Sequence, residues 1–224
     1  MDKVNRQSKG PRTYGQFCAL ARSLDVVGER WTLLIVRELL PGPMRYTELK
    51  ASLKGIATNL LAERLRTMEA NGIVERRLED AGVAYALTPW GTGLREPMEA
   101  LGRWGAPLLA TGRGQDSFQP RWLVVALPAL LRGATASPPV ELGIETDGFL
   151  MALALGEDGP SAFVPDRVPT SVFTAAPDVV VALAAGAISI EQAVAAGEFR
   201  GDSDVLRSAF APVRANATPP TIGD

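Results

Sequence analysis

Three helix-breaking signals in the first third of the chain, Pro41-Gly42-Pro43, Lys54-Gly55-Ile56 and Gly72, leave room only for short packed helices between them. Proline cannot continue the helical hydrogen-bond ladder, and glycine supplies the left-handed stop that helix C-termini favour. Before the first break, Trp31, Leu34, Ile35 and Leu39 form a helical stripe that starts near Glu29. It follows another, with Phe17, Leu20, Leu24 and Val27 on one face from about Tyr14. Between the breaks the spacing predicts a helix over about Tyr46–Leu53, burying Tyr46, Leu49 and Leu53, and one over Thr58–Asn71 with Leu61, Leu65 and Met68 inward. Two such helices around a tight glycine-containing turn predict a helix-turn-helix. Ile73–Leu78 and Val83–Leu87 are β-like about Glu79-Asp80-Ala81-Gly82, a hairpin where a wing would sit. Thr88-Pro89 then supplies an N-cap and a first-turn proline. The helix it opens spaces Leu94, Met98, Leu101 and Leu108 near a seven-residue repeat, with Trp104 beside the seam, and Pro97 is expected to kink or divide it.

Beyond a glycine-rich linker at Gly112–Asp116 the pattern changes. Pro120–Leu131 reads as an apolar helix, and Val140, Leu142, Ile144 and Thr146 alternate with polar or small residues as in a strand. Asp147-Gly148 is a tight-hairpin signal, returning into a strand at Phe149–Leu155. Weaker strands are expected at Ser161–Val164 and Ser171–Thr174. Helices follow at about Pro177–Ala185 and Ile190–Ala196, the second opened by a capping box at Ser189-x-x-Gln192. Asp202 or Ser203 caps a last helix ending near Phe210. The organisation expected is a flexible arm (1–13), a mainly α winged helix-turn-helix domain (14–112), an α+β domain (116–211) and a disordered tail (212–224).

Composition narrows the function. With no histidine and one cysteine, His-based nucleophilic triads and the ordinary zinc sites are unavailable. No glycine-rich phosphate loop is found, and Glu79–Asp80 and Glu157–Asp158 sit beside glycines as turn charges. The expectation is of no enzyme, no cofactor and no metal. Nothing resembles a secretory signal, the apolar stretches are too short or too interrupted for a membrane span, and a lone cysteine suits a reducing cytoplasm. Residues 1–112 carry sixteen Lys/Arg against twelve Asp/Glu, whereas residues 113–224 carry seven against thirteen. The net charges of +4 and −6 permit a nucleic-acid-binding first half.

On the helix Thr58–Asn71, burial of the leucines leaves Thr58, Asn59, Ala62, Glu63 and Arg66 outward. These types suit the major groove, where Asn pairs with adenine, Arg with guanine and Glu with cytosine, while Ala or a Thr methyl meets thymine. Arg45, Lys50, Lys54, Arg64, Arg76 and Arg77 are placed for phosphates, which add affinity but little sequence information. Each alone is equally an ordinary solvated charge, since Glu63 and Arg66 also make an i, i+3 pair. The order of helix-turn-helix, hairpin and amphipathic helix favours double-stranded DNA as the partner.

Cys18, Val27-Gly28-Glu29-Arg30-Trp31-Thr32-Leu33-Leu34-Ile35, Arg45-Tyr46-Thr47-Glu48-Leu49 and Asn71-Gly72-Ile73-Val74-Glu75-Arg76 resemble the HxlR-type regulators over roughly residues 14–110. The resemblance implies a winged-helix regulator that binds a roughly palindromic operator as a homodimer, its terminal helices forming the dimer. Leu94, Met98, Leu101, Trp104 and Leu108 are the candidate seam, although such a stripe can also cover its own core. Ala57 departs from the serine common before the recognition helix, which moves the N-cap to Thr58 or weakens it. Cys18 matches a position where members carry a redox-sensing thiol; its apolar neighbours Phe17, Ala19 and Leu20 instead suggest a buried, inert one. The second half resembles a sterol-carrier-protein-like domain, on its alternating strands, the Pro177–Gly186 helix and Gly197-Glu198-Phe199-Arg200-Gly201-Asp202. That implies an apolar tunnel for a small apolar effector, with Trp122, Phe149, Met151, Leu153, Phe163 and Phe173 as liners, or else an ordinary filled core. The alternative for the whole chain is a lipid carrier or protein-interaction module without sequence-specific DNA binding.

Overall fold

A computed structural model describes residues 13–80, 82–109 and 114–210; the expected arm apart from Thr13, the linker residues up to 113 and the expected tail lie outside the described residues. The first half runs α1 (Ala19–Val27), α2 (Thr32–Leu39), β1 (Met44–Arg45), α3 (Tyr46–Ser52), α4 (Thr58–Ala70), β2 (Val74–Glu79), β3 (Gly82–Leu87), α5 (Pro89–Thr92) and α6 (Arg95–Gly105), then a 3₁₀ turn at Ala106–Leu109. Ile35, Leu39, Leu49, Leu61, Leu65 and Met68 are buried together, so the predicted inner faces of α2, α3 and α4 share one core, except that Leu34 of the α2 stripe is exposed. Gly72 is the left-handed stop after α4, at φ 69°. The hairpin comes next in the register Leu78↔Val83 to Val74↔Leu87, and β1 adds a third antiparallel strand against β3.

Thr88 ties the end of α4 to the start of α5. Its hydroxyl donates to the Gly72 carbonyl (2.6 Å) and accepts from the Gly91 amide (3.1 Å), the predicted N-cap. Gly91 packs so closely that a Cβ there would lie 2.1 Å from the Ile73 carbonyl oxygen.

Several boundaries differ from the pattern. The α1 helix starts at Ala19, not Tyr14, because Gly15 is left-handed and Cys18 is extended. The preceding segment folds back instead, with the Thr13 hydroxyl and Tyr14 amide donating to the Asp25 carboxylate at 2.9 and 2.8 Å. Tyr14, Phe17, Leu20 and Leu24 are exposed. Trp31, at φ 80°, delays α2 to Thr32. The last helix does divide, but at Gly93-Leu94; Pro97 sits in the first turn of α6, where its missing amide has no ladder bond to lose.

The second half has the expected α+β architecture. A 3₁₀ turn (Pro120–Trp122) leads into α7 (Leu123–Leu130), followed by β4 (Val140–Thr146), β5 (Phe149–Gly156), β6 (Gly159–Phe163), β7 (Val172–Thr174), α8 (Pro177–Ala184), α9 (Ile190–Ala195), β8 (Glu198–Arg200) and α10 (Ser203–Ala209). The sheet order is β6-β5-β4-β7-β8, with β4 and β7 parallel and the other neighbours antiparallel. Asp147 and Gly148 turn the β4–β5 hairpin at φ 48° and 75°, the geometry that Asp-Gly favours. Leu142, Ile144, Met151, Leu153 and Phe173 share the sheet face that α7 and α10 cover. The capping box of α9 closes as expected: Ser189 Oγ accepts from the Gln192 amide (3.2 Å), and Gln192 Oε1 accepts from the Ser189 amide (2.8 Å). The two halves meet where α7 packs along α6 and where the 3₁₀ turn reaches α2.

Candidate nucleic-acid interface

The presentation of α4 is set by short-range bonds from α3. Tyr46 Oη donates to the Thr58 carbonyl at 2.8 Å, so Tyr46 is half-buried at the start of α4. Lys50 Nζ donates to the Ile56 carbonyl at 2.6 Å, closing the turn between the helices. The N-cap of α4 is Ala57, which offers no side-chain acceptor, so this helix start is the weak one its sequence suggests. Thr58, Asn59, Glu63 and Arg66 are exposed and Ala62 is half-buried, all on the side away from Leu61, Leu65 and Met68. The second half leaves this face open.

Arg64 is a correction. It flanks the inner stripe, is only 8% exposed, and its Nη2 lies 3.3 Å from Glu29 Oε2 at the α1–α2 corner. It holds α4 onto the scaffold and is turned away from a phosphate track. The other arginines lie nearer the surface, already paired with carboxylates: Arg45 with Glu48 (2.8 Å), Arg76 with Glu69 (3.0 Å) and Arg77 with Glu75 (2.7 Å). Arg76 also lies over the Tyr85 ring at 5.8 Å. The hydrogen bond from the Arg45 side chain, reinforced by that from its backbone amide, holds the Glu48 carboxyl below the usual range. Lys54 is exposed at the turn, and Leu78 and Val83 stand out on the wing at 86% and 52% exposure.

The expected seam splits. Leu94 and Met98 are half-buried against the helix-turn-helix core, whereas Leu101, Trp104 and Leu108 are exposed. The exposure of Leu20 and Leu24 on α1, and of Phe17 just before it, escapes sequence reasoning because their spacing reads equally as a core stripe. Cys18 is also exposed, against the expectation of a buried thiol, since it precedes α1 and escapes its packing.

The six candidate liners do not converge. Met151, Leu153 and Phe173 are fully buried in the packed core, and Phe149 is half-buried at its edge. Phe163 pairs with Ala152, which puts it on the opposite sheet face, and it is exposed. Trp122 turns away to the first half, where its indole N–H donates to Glu38 Oε1 at 2.7 Å. Two open clefts, of about 350 and 360 Å³, are lined by other residues: Thr13, Tyr14, Leu24 and Asp25 in one, Pro139, Glu141, Leu155 and Ser161 in the other. Among the described residues no helix is long and apolar enough to cross a membrane. Glu38, wholly buried, and its partners Arg37 and Arg121 have no signal in the sequence beyond a charge in an apolar stripe.

Residues 26–112 match the family model described as HxlR-like helix-turn-helix. Among curated proteins the chain is 35% identical over 85 residues to the HTH-type transcriptional regulator YodB of Bacillus subtilis, covering 37% of this chain and 76% of that protein. It is 29% identical over 104 residues to the HTH-type regulator YtfH of Escherichia coli, covering 45% and 82%. Among solved structures, quinone-bound YodB from B. subtilis aligns at 34% identity and a TM-score of 0.36, covering 39% of this chain and 96% of that one. The redox regulator HypR in its oxidised form aligns at 29% identity and 0.38, covering 40% and 96%. With its matched relatives transcriptional regulators, the chain belongs to the HxlR-like helix-turn-helix family.

Proposed function

We propose that the chain is a homodimeric transcriptional regulator that places α4 in the major groove of each half of a roughly palindromic operator. The observation that carries this reading is the open face of α4, where Thr58, Asn59, Glu63 and Arg66 are exposed on a helix whose other side is locked into the core. Ala62 contributes apolar contact, while Lys54 at the turn and Arg45, Arg76 and Arg77 near the wing meet phosphates. Lys50 adds positive potential there while holding the turn. The dimer forms through the exposed apolar groups on and beside α1 and α6, Phe17, Leu20 and Leu24 with Leu101, Trp104 and Leu108, and an operator with half-sites one turn apart requires the two recognition helices to be about 34–36 Å apart. The test is selection of bound duplexes from a random pool, followed by gel shifts across a salt series. A repeated, inverted half-site supports the reading; retention of duplex without sequence preference would point to a carrier or interaction module.

In this reading the second half is a sterol-carrier-like effector domain, supported by a five-stranded sheet with helices over its apolar face. Its core is packed, so an apolar guest has to part the helices from the sheet near Met151, Leu153 and Phe173. Lipophilic ligands that never shift the melting temperature would end the effector role and leave the DNA-binding role standing. The exposed Cys18 thiol is the redox-responsive position of the same reading, and operator affinity indifferent to diamide would remove it.

A further inference from the structure

We infer that the junction around Glu38 is a positioning device, which fixes the second half against α2 and α6 and thereby sets the separation of the two recognition helices. It rests on the dimeric DNA-binding reading above. Glu38 is the only carboxylate residue wholly buried among the described residues, and it sits on α2, which packs against α3. Its carboxylate and backbone are held from across the domain boundary. Trp122 Nε1 donates to Oε1 (2.7 Å), Arg121 Nη2 donates to the Glu38 carbonyl (2.8 Å), and Arg121 Nε lies 3.8 Å from Oε2. Arg37 donates to Oε1 through Nε (3.1 Å) and Nη2 (2.8 Å) and stacks over the Trp122 ring at 3.7 Å. A charge taken out of water tolerates few arrangements, so these bonds dictate where the start of the second half lies.

A second tie reaches the proposed dimer helix. Arg95, in the first turn of α6, donates to the Leu40 carbonyl at the end of α2 (3.5 Å) and to the Val124 carbonyl of α7 (3.2 Å). One guanidinium therefore joins the scaffold helix, the helix bearing Leu101 and Trp104, and the first helix of the second half. Because α7 packs along α6, a tilt of α7 carries the dimer surface with it. The contact also has slack. Glu38 Oε2 and Arg121 Nε are both buried without a hydrogen bond, so a slide that brings them together gives the junction a second, closed geometry.

The experiment selects operators with randomised half-sites and variable spacers, using full-length wild type, Arg121→Met and Arg95→Lys. Arg121→Met leaves Glu38 its Arg37 and Trp122 bonds, and Arg95→Lys keeps the charge but replaces the two separate guanidinium nitrogens that reach Leu40 and Val124 with a single one. We expect wild type to lose about tenfold in affinity when the best spacer changes by one base pair, and the variants to lose about threefold or less with the same half-site sequence preferred. Wild-type spacer profiles in both folded variants would overturn the inference. If one variant fails to melt cooperatively, the other decides. A wild type that selects no sequence at all would refute the regulator reading itself, and the inference with it.

Discussion

At the scale of single residues, two nearby arginines on α4 point in opposite directions. Arg66 faces outward and Arg64 inward to Glu29, so their losses separate cleanly. Arg66→Ala should weaken operator binding by about 1–3 kcal/mol and relax preference at one position, with melting unchanged. Arg64→Ala should instead lower stability by about 1–3 kcal/mol through the broken pair, read as a lower denaturant midpoint. Glu99 on α6 gives a pH prediction. Burial pushes its carboxyl above the ordinary value of 4.5, against the pull of Arg95 and Arg103. The folded chain thus holds that proton more tightly than the unfolded one, and stability falls as pH rises from about 4.5 through the raised value. Glu99→Gln should melt above wild type at about pH 7 and converge with it near about pH 4.

At the scale of elements, α4 begins without a side-chain cap, so Ala57→Ser should stabilise the chain by about 1 kcal/mol in denaturant titration. Gly91→Ala should cost more than about 2 kcal/mol, because backbone and not a yielding side chain stands in the way. These elements also show what the sequence disclosed. The α3 and α4 helices, the hairpin and the β4–β5 strands are legible because local spacing and turn chemistry agree with the tertiary environment. The α1 helix is legible too, but neither its start at Ala19 nor the exposure of its apolar face is, because periodicity marks an apolar face without saying what covers it. Two-residue β1 and three-residue β8 are too short for any period and exist through pairing with β3 and β7. The outward residues of α4 follow from the placement of its leucines, but Arg64 at the flank cannot be assigned by helical phase alone. Trp122 reads as a tunnel liner in the sequence because nothing local reveals that a residue 84 positions earlier, Glu38, accepts from its indole.

At the scale of the whole molecule, the exposed aromatic and aliphatic groups on α1 and α6 call for a partner surface of the same kind. On the proposed dimeric reading, Trp104→Glu should leave a monomer in sedimentation and abolish tight operator binding without unfolding the chain. The paired guanidiniums near the wing have a further consequence. In the proposed complex Arg45, Arg76 and Arg77 would each meet the duplex with a carboxylate already attached, so engagement there would be an exchange of anions. Every phosphate gained sets a glutamate loose beside a polyanion, where ions from the buffer must gather to balance it. The ion-release exponent drawn from a salt titration will therefore fall short of the tally of basic groups at the interface.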